Sequence, residues 1–383
     1  MSGETYDVIV VGLGAAGSPT AYRLAQRGLK VLGLEMYEPG HALGSSHGYH
    51  RMIRKSSIQG DAYEPLASRA FELWDELAAE TGQEFLTITG EVRLLAGGSD
   101  PRYHVNAEEM ARRGFWEILD EAELGKRFPG FRLYDGMIAT YEADAGFLWS
   151  ERGIITHVEL ARKHGATIRT SEEVLNWAAD GEGVRVTTQN GEYRAGRLVI
   201  TTGAYAGELL ADLELPIQVN RSINGYFEPS KPEWWRAENG APDFILDVPE
   251  GGFYGMPAIG DIGLKIGLST QDKTGPRTIR RTIEPREVEY LRQTLEKYMP
   301  GAAGRDLAAI TCMDAYTVDD HFIIDRHPEH PQVILGCGFS GRGYKFSPVL
   351  GEILSDLAAD GQTRHDISFL SVERFRAAPD AQL

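Results

Sequence analysis

Residues 6–35 carry one strand–helix–strand pattern, and it limits the architecture more than any other stretch. Tyr6-Asp-Val-Ile-Val-Val11 is a short apolar run with β-branched residues, which suits a buried parallel strand. Gly12-Leu-Gly14-Ala-Ala-Gly17 follows at once as a complete G-x-G-x-x-G. Ala21, Leu24 and Ala25 recur at helical spacing over residues 18–27, and Gly28 stops that helix. Residues 29–34 give a second strand, which ends on Glu35. Gly12 makes the tight turn, Gly14 lets the backbone approach a pyrophosphate, and Gly17 lets helix and strand pack closely. The helix N-terminus then offers free N–H groups and a positive dipole end to phosphate. Glu35 stands eighteen residues beyond Gly17, where a carboxylate receives ribose hydroxyls. The expected ligand is a dinucleotide with a free 2′-hydroxyl, FAD or NAD rather than NADP.

A chain of 383 residues exceeds one simple core, so two domains are expected. The net charge of −17 argues against nucleic acid and anionic membrane surfaces as partners. The N-terminus shows no signal-peptide pattern, no apolar run reaches the roughly 20 residues that span a bilayer, and the C-terminal Asp380-Ala-Gln-Leu383 is no peroxisomal address. The expected location is the cytoplasm. Cys312 and Cys337 have neither metal-ligand spacing nor a disulfide framework, and no metal is expected.

The nucleotide unit opens the chain, as is common in FAD proteins of the glutathione-reductase-like type. Leu66, Leu73 and Leu77 share one face of a helix over 62–80, with Gly82 past its end. Strand patterns follow at 85–95, 167–169, 184–188 and 198–204, with a helix at 155–164. Residues 217–227 and 253–269 read as strands of a second, mainly antiparallel sheet. Pro285–Met299 reads as a helix, residues 307–335 as strand-rich, and Ser347-Pro348 as the cap and start of a helix that ends at Gly361. The expected fold class is α/β plus antiparallel sheet. A discontinuous Rossmann-like FAD-binding domain (1–84, 148–216, 310–383) would carry an inserted, mainly antiparallel β substrate domain (85–147, 217–309).

Four motifs could carry chemistry. Gly44-Ser45-Ser-His47-Gly-Tyr-His50-Arg51-Met-Ile-Arg54 reads either as a polar surface loop or as a loop over the cofactor, with an arginine fork for a carboxylate. Gly263-Leu-Lys265-Ile-Gly267-Leu-Ser269 alternates strictly, so Lys265, Gly267 and Ser269 share the face opposite the core. Lys265 is there either a solvated surface lysine or a fixed cation against a flat ring that Gly267 lets approach. Cys312 lies in a strand pattern, where a cysteine is usually a small buried hydrophobe. The loop with Gly336, Gly338, Ser340, Gly341, Gly343 and Lys345 precedes a helix. Its glycines argue for backbone packed on a ligand, and the helix N-terminus for negative charge, such as an anionic reduced flavin.

Taken together these motifs resemble the monomeric sarcosine oxidase family of amine-oxidising flavoenzymes, which includes N-methyltryptophan, pipecolate and fructosyl amino acid oxidases. The likeness covers nearly the whole chain. It implies FAD held covalently through its 8α-methyl on Cys312, and Lys265 activating oxygen. It further implies Arg54 and Lys345 binding the substrate carboxylate, Tyr254 in the active site, and His47 and Arg51 beside the isoalloxazine. One departure stands out: where sarcosine oxidase has an active-site histidine, this chain has Ser269, which leaves room for a larger substituent. Tyr49, His50 and Tyr344 are expected to shape the same pocket.

The resemblance implies oxidation of a secondary amine bearing a carboxylate, an N-substituted amino acid or a cyclic imino acid. A hydride equivalent passes to flavin N5, and oxygen becomes hydrogen peroxide. The expected partners are the small-molecule amine and O2, and the family favours a monomer. Rival readings are a primary amino acid oxidase of the glycine or D-amino acid type, a dehydrogenase with another electron acceptor, and a non-catalytic nucleotide-binding protein. Lys265 disfavours the second, and the joint presence of Lys265, Cys312, Arg54 and Lys345 disfavours the third.

Overall fold

The computed structural model describes residues 5–57, 59–96 and 101–376, with the side chains of 101–106, Ser269 and Gln271 outside that description. The chain opens with β1 (Thr5–Val11), α1 (Gly17–Gln26) and β2 (Val31–Leu34), then β3 (His50–Ile53) and α2 (Glu64–Thr81). Next come β4 (Leu86–Ile88), β5 (Glu91–Leu95), α3 (Pro101–Arg112), β6 (Glu117–Leu119), α4 (Glu121–Arg127) and β7 (Ile138–Glu142). β8 (Gly146–Trp149), α5 (Ser150–Lys163), β9 (Thr167–Arg169), β10 (Val174–Asp180), β11 (Gly183–Thr188), β12 (Gly191–Ile200) and α6 (Ala206–Leu209) follow. The next stretch holds β13 (Ile217–Phe227), α7 (Pro232–Trp235), β14 (Asp243–Val248), β15 (Gly251–Ile259), β16 (Gly263–Thr274) and α8 (Pro285–Tyr298). The described chain closes with β17 (Asp306–Thr317), β18 (Ile323–Arg326), β19 (Val333–Cys337), α9 (Ser347–Ala359) and α10 (Glu373–Arg376).

Three sheets result. In the first, β9, β2, β1, β12 and β19 run parallel, with β18 antiparallel on β19 and the β10–β11 hairpin on the first half of β12. Val8, Val10, Ile9 and Val199 are buried on both faces of this sheet, which is why the strand reads as an unbroken apolar run. The second sheet has the order β17-β13-β16-β15-β14-β5-β7-β6 and is antiparallel except where β14 meets β5. A small β3-β8-β4 sheet stands apart from both. Helices α1, α2, α5 and α9 share one apolar core with the first sheet. Gly82 ends α2 in the left-handed conformation, its N–H donating to Ala78 O at 2.8 Å.

Two expectations need correction. Ser347 does not cap α9: it is the first helical residue, and its hydroxyl donates to Ala15 O at 2.5 Å, tying the helix to the glycine loop of β1–α1. The 44–54 segment is not all loop, because His50–Ile53 pairs with β8 as β3. β17 pairs with β13 along its length, so the second sheet runs on to Thr317, past the expected domain boundary at 310. Among the described residues no helix is long and apolar enough to cross a membrane.

Candidate active site

The nucleotide end is shaped by what side chains leave out. At Gly12 φ is +82°, and a Cβ would stand 2.7 Å from Thr201 O. A Cβ at Gly17 would overlap the Gly12 carbonyl oxygen. A Cβ at Gly14 would meet nothing within 4 Å, and that residue lines a cavity. Two of the three glycines therefore serve packing inside the βαβ unit, and the third leaves room for a ligand. Glu35 ends β2 with its carboxylate fixed by backbone: Oε2 accepts from Leu13 N–H at 2.8 Å and Oε1 from Tyr37 N–H at 3.0 Å. It too lines the cavity.

The cavity holds about 1400 Å³ of empty space, its open mouth included, and runs from these glycines to Ser45, Arg51 and the 338–343 loop. Its lining, which runs from the β1–α1 turn to the 338–343 loop, suits an extended dinucleotide. The residues present fit FAD: open space over Gly14 and the α1 N-terminus for phosphate, Glu35 for ribose, and Arg51 with the second glycine loop at the far end.

That second loop is held to β17. Ser340 adopts φ +48°, donates its N–H to Ala315 O at 2.8 Å and accepts Thr317 N–H at 3.2 Å. A Cβ at Gly341 would stand 2.9 Å from the Tyr316 hydroxyl, and one at Gly343 would stand 2.6 Å from Phe339 Cβ. These glycines clear space for protein neighbours, a correction to the ligand-only reading, although Gly338, Ser340, Gly341 and Gly343 all line the cavity.

Lys265 is completely buried, which excludes the solvated reading. Its strand neighbours Leu264 and Ile266 lie in the second core, so strict alternation turns Lys265 to the opposite face. Nζ donates to Gly48 O at 3.0 Å and His50 O at 2.9 Å. Burial, then the charge on Arg51, holds it well below the ordinary lysine range. Tyr226 donates to the same Gly48 carbonyl at 2.9 Å. Between those two carbonyls, Tyr49 sits at φ +66°, a costly conformation for a tyrosine. Glu151 fixes it by accepting from Gly48 N–H at 2.6 Å and Tyr49 N–H at 3.2 Å.

Gly267 admits a ring, but the ring is Tyr254's. The two residues are cross-strand partners, and a Cβ on Gly267 would overlap the phenol. Tyr254 thereby crosses β16 and donates to Asn224 Oδ1 at 3.1 Å, while Asn224 Nδ2 donates to Cys312 Sγ at 3.5 Å. Asn224 was not singled out in the sequence, where an asparagine in an apolar strand offers no spacing to notice. Cys312 is buried with Sγ 3.2 Å from His47 Nε2 and 3.7 Å from an Arg51 Nη. Burial, then Arg51, pushes His47 down to about 4, so its ring is neutral beside the sulfur. Burial raises the Cys312 thiol. Arg51 also donates to Ser45 O at 2.8 Å and His50 O at 3.0 Å, which fixes its position at the cavity end.

Arg54 is not an open fork. Its Nη1 stands 3.1 Å from Glu91 Oε2, and Arg93 holds the other oxygen of Glu91 at 3.0 Å. Lys345 is buried and lowered well below the lysine range by burial and by Arg54; among the described residues Nζ has no hydrogen-bond or ion-pair partner. Trp74 Nε1 holds the Lys345 carbonyl at 3.1 Å, and the Trp74 ring stacks on Tyr344. Ser269 lies in β16 opposite Ser222, and its side chain lies outside the described residues. Cavity and buried cluster thus meet at Arg51: Lys265, Cys312, His47 and Tyr254 gather behind it, with Arg54 and Lys345 grouped around Glu91.

A family model described as FAD dependent oxidoreductase (DAO) matches residues 7–357. A monomeric sarcosine oxidase of Bacillus sp. (strain B-0618) is 39% identical over 376 residues, covering 96% of this chain and 96% of that protein. An N-methyl-L-tryptophan oxidase of Salmonella enteritidis PT4 is 33% identical over 382 residues, covering 97% and 99%. Among solved structures, NikD, titled an unusual amino acid oxidase essential for nikkomycin biosynthesis, aligns with a TM-score of 0.84 at 25% identity, covering 96% of this chain and 97% of that one.

Proposed function

The chain belongs to the DAO family of FAD-dependent oxidoreductases, and from that membership we propose that it oxidises a secondary amine carrying a carboxylate, an N-methyl or other N-substituted amino acid or a cyclic imino acid. Bound FAD supplies the redox chemistry, accepting two electrons from the amine and passing them to O2 to give hydrogen peroxide. Everything else falls to the side chains.

Arg54 and Lys345 hold the substrate carboxylate, which fixes the amine's orientation. Lys265 keeps a preplaced donor, aimed by two carbonyls, where negative charge develops on oxygen. Tyr254 and Asn224 form the wall beside Cys312. Cys312 carries the flavin through a thioether, with neutral His47 packed beside the sulfur and the Arg51 charge to favour the thiolate. The observation that carries this reading is the gathering of Lys265, His47 and Cys312 around Arg51, which lines the end of the cavity that begins at the nucleotide-binding glycines.

Anaerobic mixing with a panel of N-methyl amino acids, proline analogues and fructosyl amino acids should bleach the flavin with at least one of them; no bleaching across the panel sinks the substrate class. On acid precipitation, yellow colour stays with the pellet of the native protein and moves to the supernatant for Cys312→Ser. Peroxide formed in equal amount to substrate consumed separates an oxidase from a dehydrogenase. The protein acts as a monomer in the cytoplasm, and sedimentation checks the first of these.

A further inference from the structure

We propose that Glu91 is a built-in counter-carboxylate of Arg54 that sets the charge of the substrate: the clamp takes one carboxylate and turns away a second. This rests on the reading of Arg54 and Lys345 as the substrate's carboxylate ligands.

Glu91 lies in β5, 2% exposed, and bridges two guanidinium groups, Arg54 through Oε2 at 3.1 Å and Arg93 through Oε1 at 3.0 Å. Arg93 is itself 1% exposed and lies 4.7 Å from the Trp116 ring centroid, so it stands behind Glu91 and out of a ligand's reach. A buried carboxylate persists only with such partners. Arg54 and Arg93 keep Glu91 ionised against its burial. The other acids nearby do not compete for Arg54. Glu142 is held by Ser56, by the Lys55 N–H and by Trp116. Asp243, the β14 residue opposite Glu91, accepts from the Thr89 hydroxyl at 2.9 Å, and burial pushes both it and Asp247 above the usual carboxylate range.

An arriving carboxylate therefore finds Arg54 engaged on one side and Lys345 Nζ unengaged. Those two donors suffice for one carboxylate. A second would meet the field of Glu91, because Arg93 lies on the far side and Arg342, the other cation near Lys345, is drawn toward Asp320, whose carbonyl accepts from its Nη2 at 2.7 Å. Monocarboxylic amino acids are the substrate class this arrangement favours, and N-substituted aspartate or glutamate the class it rejects.

Calorimetric titration of the flavin-loaded protein with propionate, succinate and propionamide tests this. E91Q keeps an acceptor for Arg54 and removes the charge; it should tighten propionate roughly tenfold, tighten succinate by a larger factor, and leave propionamide within about twofold. R93Q leaves Glu91 wholly to Arg54 and should weaken propionate, so it decides the matter if E91Q does not accumulate as folded protein. The proposal is overturned if E91Q shifts propionate and propionamide by the same factor, or if it weakens propionate. R54Q separates the two levels. Propionate binding unchanged in R54Q removes the carboxylate clamp and the Glu91 proposal with it. Propionate weakened in R54Q without a charge-selective effect in E91Q removes the Glu91 proposal alone.

Discussion

The two ends of the site are built by opposite means. At the nucleotide end the shape comes from backbone and from missing side chains: Gly12 and Gly17 let β1, α1 and Thr201 pack, and Gly14 leaves open space. At the catalytic end the shape comes from charged and polar side chains held in the interior: Lys265 on two carbonyls, Cys312 between His47 and Arg51, Arg54 on Glu91. The first end can wait open for a ligand at little cost, because backbone N–H groups at a helix terminus are tolerated in water. The second must satisfy each buried polar group within the protein, and it does so with partners drawn from distant parts of the chain.

Substitutions should separate these two kinds of construction. The largest effect is expected at Gly17→Ala, whose Cβ overlaps the Gly12 carbonyl; a cost of about 3 kcal/mol or more should leave little folded, flavin-bearing protein in the soluble fraction. Gly14→Ala, three residues earlier, should melt like the wild type yet bind FAD about tenfold or more weakly, measured in a Cys312→Ser background where FAD exchanges freely. Equal damage at both positions would erase the distinction between packing and ligand glycines.

At the other end, Lys265→Met should fold and be reduced by substrate at a near-normal rate, while its reoxidation by O2 slows about 10²–10³-fold; stopped-flow measurement of the two half-reactions checks this. A matching loss in both would assign Lys265 to substrate binding instead. The smallest effect concerns pH. His47 is pushed down to about 4 from its ordinary 6.5, so as pH falls the unfolded chain takes the proton first. Its contribution to stability is full above pH 6.5 and lost as pH falls from 6.5 to 4, about 2 kcal/mol of it between pH 7 and pH 5. Urea melts at those two pH values should show a drop smaller by that amount in His47→Asn. No glycine substitution at the nucleotide end should alter that slope.

Legibility in the sequence follows the same division. The βαβ unit, the α2 face with Leu66, Leu73 and Leu77, and the alternation around Lys265 are local patterns, and each stands where its spacing put it. Asn224 and Glu91 were not legible. Asn224 matters because β13 lies between β16 and β17, and Glu91 because the chain brings β5 near the end of β3. The ring over Gly267 was misassigned for the same reason: the residue facing it, Tyr254, comes from the neighbouring strand. Ser347 read as a cap, since a serine before a proline is a common helix start, yet the close approach of Ala15 gave its hydroxyl another acceptor.

The sequence by itself determined the dinucleotide unit, the second antiparallel sheet and the residue types available for redox catalysis. These depend on periodicity and on backbone conformations that neighbours along the chain dictate. Only the tertiary structure decided which charges meet: that Lys265 rests on the Gly48 and His50 carbonyls, that Cys312 faces His47, and that Arg54 is already paired with Glu91. The physical reason is that a buried charge is defined by its partners. Here those partners lie 37 residues away for Arg54 and 265 for Cys312, beyond the reach of any local pattern.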